Sequence, residues 1–416
     1  MLNKGQIKVN YISSQFNNKS PDKLSWMIYY FFKIFGLAPI CIKKLKFTNT
    51  NNKVLNFKKT HFDFLYIILL ITMALPLSYI CIQSVEEKHK TENVNSKTEH
   101  NLRLYTIIAG LSVMFIIWFS TVLNQDDAIK LLSQITTTDA GLNMYNDIYK
   151  LESSYWHIKL IFIIKFIMWI ALGIFVYVIY KNIKVWIIVI LPNFIIIWYI
   201  MQYGFILIML ENRFKSLNKA FIKLSKGQVQ PFIIKTVRSE IYDDNDFVSD
   251  RFFVLRQAYT MYSEVCKKLS NYYSFPLLFS MGWFSCEIIY CSYYIILSFL
   301  FPDSTKSKAK LFVLFYWIII ETVPIIILTN NVTKIMNEMK ATSGIVYIIL
   351  AQSTVFDKIQ NELNAFGLEL LHKKISFSAY GIFSLDNQLL QSISGTVVTY
   401  LVILIQFQMS LKKNKS

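Results

Sequence analysis

Cysteine is scarce in this chain, and its few copies follow no plan. Cys41, Cys81, Cys266, Cys286 and Cys291 make no CxxC pair and no disulfide framework. A stapled secreted scaffold and a zinc ribbon are both excluded. The five histidines are scattered and no HExxH occurs, so neither a metal site nor a cofactor is expected. No nucleophile–base constellation is visible, and no enzyme is expected. Charge is also low: Asp, Glu, Lys and Arg make up 17% of the residues, against about 25% in soluble domains. Acidic residues are the rarer sign, 26 against 43 basic, for a net charge of +17. That excess does not point to nucleic acid, because the basic residues lie in loops between apolar runs, with no basic-aromatic motif. The polar, lysine-bearing start lacks an apolar core followed by a small-residue cleavage site, so the first spanning helix is expected to direct insertion.

What the chain has in abundance is apolar length. Hydrophobic residues make up 54% of it. Seven stretches are long enough for the roughly 20 helical residues that cross a bilayer: 62–83, 104–124, 159–180, 185–210, 271–299, 309–329 and 391–411. An eighth, Trp26 to Ile42, holds Lys33 and ends in Gly36-Leu-Ala-Pro39; an interfacial or re-entrant helix suits it better than a span. The expected class is an all-α polytopic membrane protein in contact with the lipid bilayer. Basic residues crowd the segment before the first span (Lys43, Lys44, Lys46, Lys53, Lys58, Lys59) and the loop between spans four and five (Arg213 to Lys268). The positive-inside rule then puts the N-terminus in the cytoplasm and the C-terminus outside. The tail lysines and an acidic loop between spans two and three point weakly the other way. On this plan Cys81 and Cys291 both lie toward the outer face, as a bridge or as two packed thiols. The orientation is inverted relative to a G-protein-coupled receptor, and the Asp-Arg-Tyr and Asn-Pro-x-x-Tyr motifs of that class are missing.

The last span has polar groups where lipid would not want them. Ser392, Gly395, Thr396, Thr399, Ile403, Gln406 and Ser410 fall within an arc about 120° wide at 100° per residue. Polar side chains at that depth face protein or a watery path; small polar contacts between packed helices are the plainer account. Thr399-Tyr400, five aliphatic residues, then Gln406-Phe407 resembles the terminal signature of insect gustatory receptors. Arg213-Phe-x-x-Leu217-Asn218 after span four is similar to the same family, as is the pattern of Phe377, Gly381, Phe383 and Leu385-Asp386.

That resemblance implies the insect chemoreceptor fold and a ligand-gated, non-selective cation channel for tastant detection in the plasma membrane of sensory neurons. It implies a homo-tetramer, or a hetero-tetramer with related receptors, passing monovalent and divalent cations, with a sugar or bitter-type small molecule as ligand. Thr399, Ile403, Gln406 and Phe407 take pore and gate roles, and Tyr400 packs against a neighbouring helix. The expected division is 1–61 as a cytoplasmic start, 62–329 as a six-helix sensing part with the loop 211–270, 330–390 as a helical anchor, and 391–416 as pore helix and tail. A metabotropic seven-helix receptor and an odorant-receptor-like subunit that does not conduct alone are the rival readings.

Two carboxylates sit inside apolar runs, Glu287 in span five and Glu321 in span six. Each costs about 2.5–3.5 kcal/mol at the bilayer centre unless partnered or wet. Either they line a ligand pocket, with Trp198, Trp283, Tyr290, Tyr294 and Trp317 as aromatic walls, or they are structural groups bonded to neighbouring helices. Lys165, about two turns into span three, is expected to snorkel to the inner interface. Pro76, Pro192, Pro276 and Pro324 are expected to mark kinks.

Overall fold

The computed structural model describes residues 23–38, 40–44, 55–91, 97–145, 147–151, 156–180, 183–225, 244–300, 308–352, 357–373 and 375–413. Ten helices and two short hairpins follow one another among these residues. They are α1 (Lys23–Ile34), β1 (Cys41–Lys44), β2 (Leu55–Lys58), α2 (His61–Thr91), α3 (Lys97–Leu123), α4 (Gln125–Leu142), α5 (Trp156–Tyr180), α6 (Ile183–Ser225), α7 (Asp244–Leu300), α8 (Lys308–Gln352), α9 (Asp357–His372), β3 (Ser378–Ala379), β4 (Phe383–Ser384) and α10 (Asn387–Lys413). Both hairpins pair antiparallel. Seven of the helices are long and apolar enough to cross a membrane: α2, α3, α5, α6, α7, α8 and α10.

Helix α6 is the axis of the bundle. Seven consecutive residues, Ile195 to Met201, are almost fully buried, which happens only when a helix is surrounded on every side. Of its most apolar stretch 72% is buried, against 11% for α10. Helix α8 packs along α6 most extensively, with α3, α5 and α7 also against it.

Three spanning helices run far past the apolar stretches that announce them. The sequence-derived spans end at 210, begin at 271 and end at 329; the helices continue to Ser225, start at Asp244 and continue to Gln352. The acidic composition from Gly227 to Asp250 reads as an irregular, solvated loop, but residues 244–250 are the start of α7; residues 226–243 lie outside the described residues. Apolar runs end where a helix leaves the core, but backbone hydrogen bonding does not. The extensions pack on one another, and Arg-Phe-x-x-Leu-Asn is the joint. Arg213, Phe214, Leu217 and Asn218 are all buried. Arg213 holds Asp139 of α4 by two bonds of 2.9 and 2.5 Å, and Tyr262 of α7 donates its hydroxyl to the same carboxylate at 2.5 Å. Asn218 donates to Glu338 and accepts from Thr342, both on α8.

The acidic loop between spans two and three is explained by its partners. Asp126 pairs with Lys59, Asp139 with Arg213 and Asp147 with Arg251. These acids neutralise basic groups at the same end of the bundle.

Helix α1 ends in a C-cap built on glycine. Gly36 has φ +72°, its N–H bonds the Lys33 carbonyl, and the Leu37 N–H reaches the Phe32 carbonyl at 2.9 Å. The turn seats the helix against the spans. Phe31 lies 4.6 Å from Trp198 and 5.1 Å from Phe162 between ring centres, and Lys33 pairs with Asp63 at 3.0 Å. At the other end of the chain, Tyr380 and Gly381 both adopt positive φ in the tight turn of the β3–β4 hairpin. Asp386 then caps α10, its Oδ1 accepting the Gln388 N–H at 2.9 Å.

Candidate functional site

Two places in the bundle hold polar groups at membrane depth. The first is a partly open cavity of about 70 Å³. Thr106, Ile107 and Gly110 of α3, Val176 of α5, Val189, Pro192 and Asn193 of α6, and Trp283, Glu287 and Tyr290 of α7 line it. Gly110 permits the arrangement. A Cβ there would come within 3.1 Å of the Trp283 indole nitrogen, and that nitrogen donates to the Thr106 carbonyl at 3.3 Å.

Of the residues singled out from sequence, Trp283, Glu287 and Tyr290 share this cavity. Tyr294 stacks edge-on against Tyr290, 4.6 Å between ring centres, without lining it. Glu321 is fully buried on α8 beside it, close enough to Glu287 to feel its charge. Its Oε1 accepts the Trp317 indole N–H at 2.7 Å; its Oε2 has no hydrogen-bond partner among the described residues. Trp317 is therefore a clamp on Glu321 and does not line the cavity. Trp198 stands apart, enclosed by Phe31, Phe162 and Phe194.

The expectation for Lys165 is corrected. It is 2% exposed, and its ammonium donates to the Ile320 carbonyl at 3.0 Å. The side chain turns inward onto α8, where a buried carbonyl next to Glu321 lies within its reach. Cys291 is a buried free thiol; the side chain of Cys81 lies outside the described residues. The four intrahelical prolines all sit within continuous helices. Asn193, Gly110 and Thr106 escaped the sequence reading. Asn193 had a usable signal, a carboxamide after Pro192 inside an apolar helix; Gly110 and Thr106 had none.

The second place is α10. Its packed positions are Leu389, Leu390, Ile393, Val397, Leu401, Leu404 and Gln408, all buried or half-buried, and they face α7 and α8. At 100° per residue, the centre of the polar stripe lies about 140° from the centre of that face. All seven stripe residues, Ser392 through Ser410, are exposed within the single chain, as are Tyr400 and Phe407. The Thr396 and Thr399 hydroxyls bond the carbonyls four residues back, which leaves their oxygens available on the outward side.

Residues 27–411 match the family model described as 7tm Chemosensory receptor. Gustatory receptor 68a of Drosophila melanogaster is 36% identical over 92 residues, covering 22% of this chain and 23% of its own length. A relative numbered 28b in the Drosophila melanogaster gustatory series is 30% identical over 148 residues, 35% of this chain and 31% of its own. The chain thus spans about a third or less of these curated relatives. Among solved structures, the insect olfactory receptor OR5 from Machilis hrabei superposes with a TM-score of 0.64 at 12% identity, over 92% of this chain and 98% of that one. At that identity the likeness establishes the fold.

Proposed function

This chain belongs to the 7tm chemosensory receptor family, and we propose that it is a gustatory receptor working as a ligand-gated, non-selective cation channel of four copies. The observation that carries the reading is the exposed polar stripe of α10, turned away from its own bundle. A membrane helix does not present Ser392, Thr396, Thr399, Gln406 and Ser410 to lipid; it presents them to water or to protein. One helix cannot enclose a path, so copies of the chain gather with these stripes inward. Thr399 and Ile403 line the path, and Gln406 and Phe407 form the gate, the ring excluding hydrated ions by dewetting. The stripe offers neutral oxygen dipoles and no basic side chain, which suits cations. Tyr400 lies nearer the packed face and meets a neighbouring helix.

The N-terminus is cytoplasmic in this reading, so the joined ends of α4, α6, α7, α8 and α9 form the anchor in the cytoplasm and the α10 tail lies outside. The cavity at Glu287 is the ligand pocket. A solved relative holds the small organic molecule eugenol, and a small organic tastant is the ligand proposed for this chain. Binding opens the channel only if the open state binds the ligand more tightly.

The test is single-chain expression with patch recording and cysteine substitution along α10. Thr399→Cys and Gln406→Cys should be blocked by a charged thiol reagent, Val397→Cys and Leu401→Cys should not, and Phe407→Ala should raise the basal leak. Evoked responses that require a G protein, or a leak unchanged by Phe407→Ala, would sink the channel.

A further inference from the structure

The cavity at Glu287 has an unbalanced inventory. Glu287 is 8% exposed and has no hydrogen-bond or ion-pair partner among the described residues. Asn193, 4% exposed, donates one amide N–H to the Val189 carbonyl, while its Oδ1 has no partner among the described residues. Both unmatched groups are acceptors. The lining indole N–H is already committed to the Thr106 carbonyl, and no lining residue is basic. Lys165 supplies Glu287 no counter-charge, since its ammonium goes to the Ile320 carbonyl and no described carboxylate lies within ion-pair distance.

We propose that this cavity recognises an organic ammonium group, with Glu287 as counter-charge, Asn193 as second acceptor, and Trp283 and Tyr290 as aromatic walls. The inference rests on the reading of the cavity as the ligand pocket and names the ligand class. An ammonium brings donors and charge and needs no donor in return, which matches what the lining leaves over. Aromatic faces favour a desolvated cation further. A polyol would leave Glu287 without a counter-charge, and an anion would meet its carboxyl group with no basic residue in the lining. The volume of about 70 Å³ fits the head group, and the cavity is partly open, so the rest of the ligand can extend out of it.

The experiment measures equilibrium binding of two probes of one shape, 2-phenylethylamine and 2-phenylethanol, to the purified full chain in lipid nanodiscs near neutral pH. The amine should bind wild type at least tenfold more tightly than the alcohol, and Glu287→Gln should weaken the amine by roughly thirtyfold, the loss of a buried charge partner. The same variant should hold the alcohol within about twofold, which shows that the fold survives. Glu287→Asp should recover part of the amine affinity. Equal affinity for the two probes, uptake of neither by wild type, or amine binding unchanged in Glu287→Gln would each overturn the proposal. Because the readout is binding, lost current with retained amine selectivity counts against the channel and not against this site.

Discussion

Replacing Asp139 with Leu should destabilise the chain more than almost any other single change at the water-facing end of the bundle. The carboxylate accepts from Arg213 twice and from Tyr262 once, joining α4, α6 and α7. The Arg213 side chain is 5% exposed and that of Asp139 20%, so the guanidinium left behind cannot rehydrate without opening the joint. Stranding a buried charge costs about 3–5 kcal/mol, and an orphaned tyrosine hydroxyl adds about 1–3; because both losses relax together, about 4 kcal/mol is expected. For 416 residues, roughly 1–2 °C per kcal/mol puts the drop in unfolding temperature near 4–8 °C. The assay is fluorescence-detected thermal unfolding in one detergent at one protein concentration. Arg213→Met should lose less, since it removes the charge that is deeper, and Asp139→Leu/Arg213→Met should recover most of the loss, leaving only the Tyr262 hydroxyl unmatched. A double variant as unstable as the summed singles would refute the reasoning, as would a single variant indistinguishable from wild type.

Two further expectations concern the turns that set the ends of helices. Gly36→Ala places a Cβ at positive φ, about 1–2 kcal/mol, and 3.1–3.2 Å from Leu70 and the Trp118 nitrogen; thermal stability should fall by about 2 kcal/mol in total, and an unchanged midpoint would contradict the C-cap described. Asp386→Ala removes the cap of α10 and should cost about 1 kcal/mol, while Asp386→Asn, which keeps an acceptor, should stay near wild type in the same assay.

The membrane plan was legible because the bilayer imposes a length on every apolar run, and all seven runs became helices. The helical periodicity of Leu210–Asn218, Val254–Leu269 and Ser343–Leu371 also shows that helix continues beyond spans four, five and six, but the start of α7 at Asp244 was not legible, since the acidic composition there is that of a solvated loop. Glu287 could be read as an intramembrane carboxylate because polarity in an apolar run is conspicuous. The role of Trp198 could not be, because aromatic residues look alike in sequence and only the docking of α1 decides which one is enclosed. Lys165 shows the same limit. Its depth suggested an escape to the interface, and a carbonyl on a helix 155 residues away took it instead.

Helix α7 runs unbroken for 57 residues with Pro276 inside it. A proline removes one rung of the backbone ladder, so the rod has a weak point between the Glu287 segment and a shaft that continues to Asp244. That shaft is about 48 Å long, and a bend of about 10° at the weak point swings its far tip by about 8 Å. Glu287 stands about 16 Å from Pro276 on the other side, so any movement of that segment is magnified about threefold at the far tip of the shaft, without a loop in between.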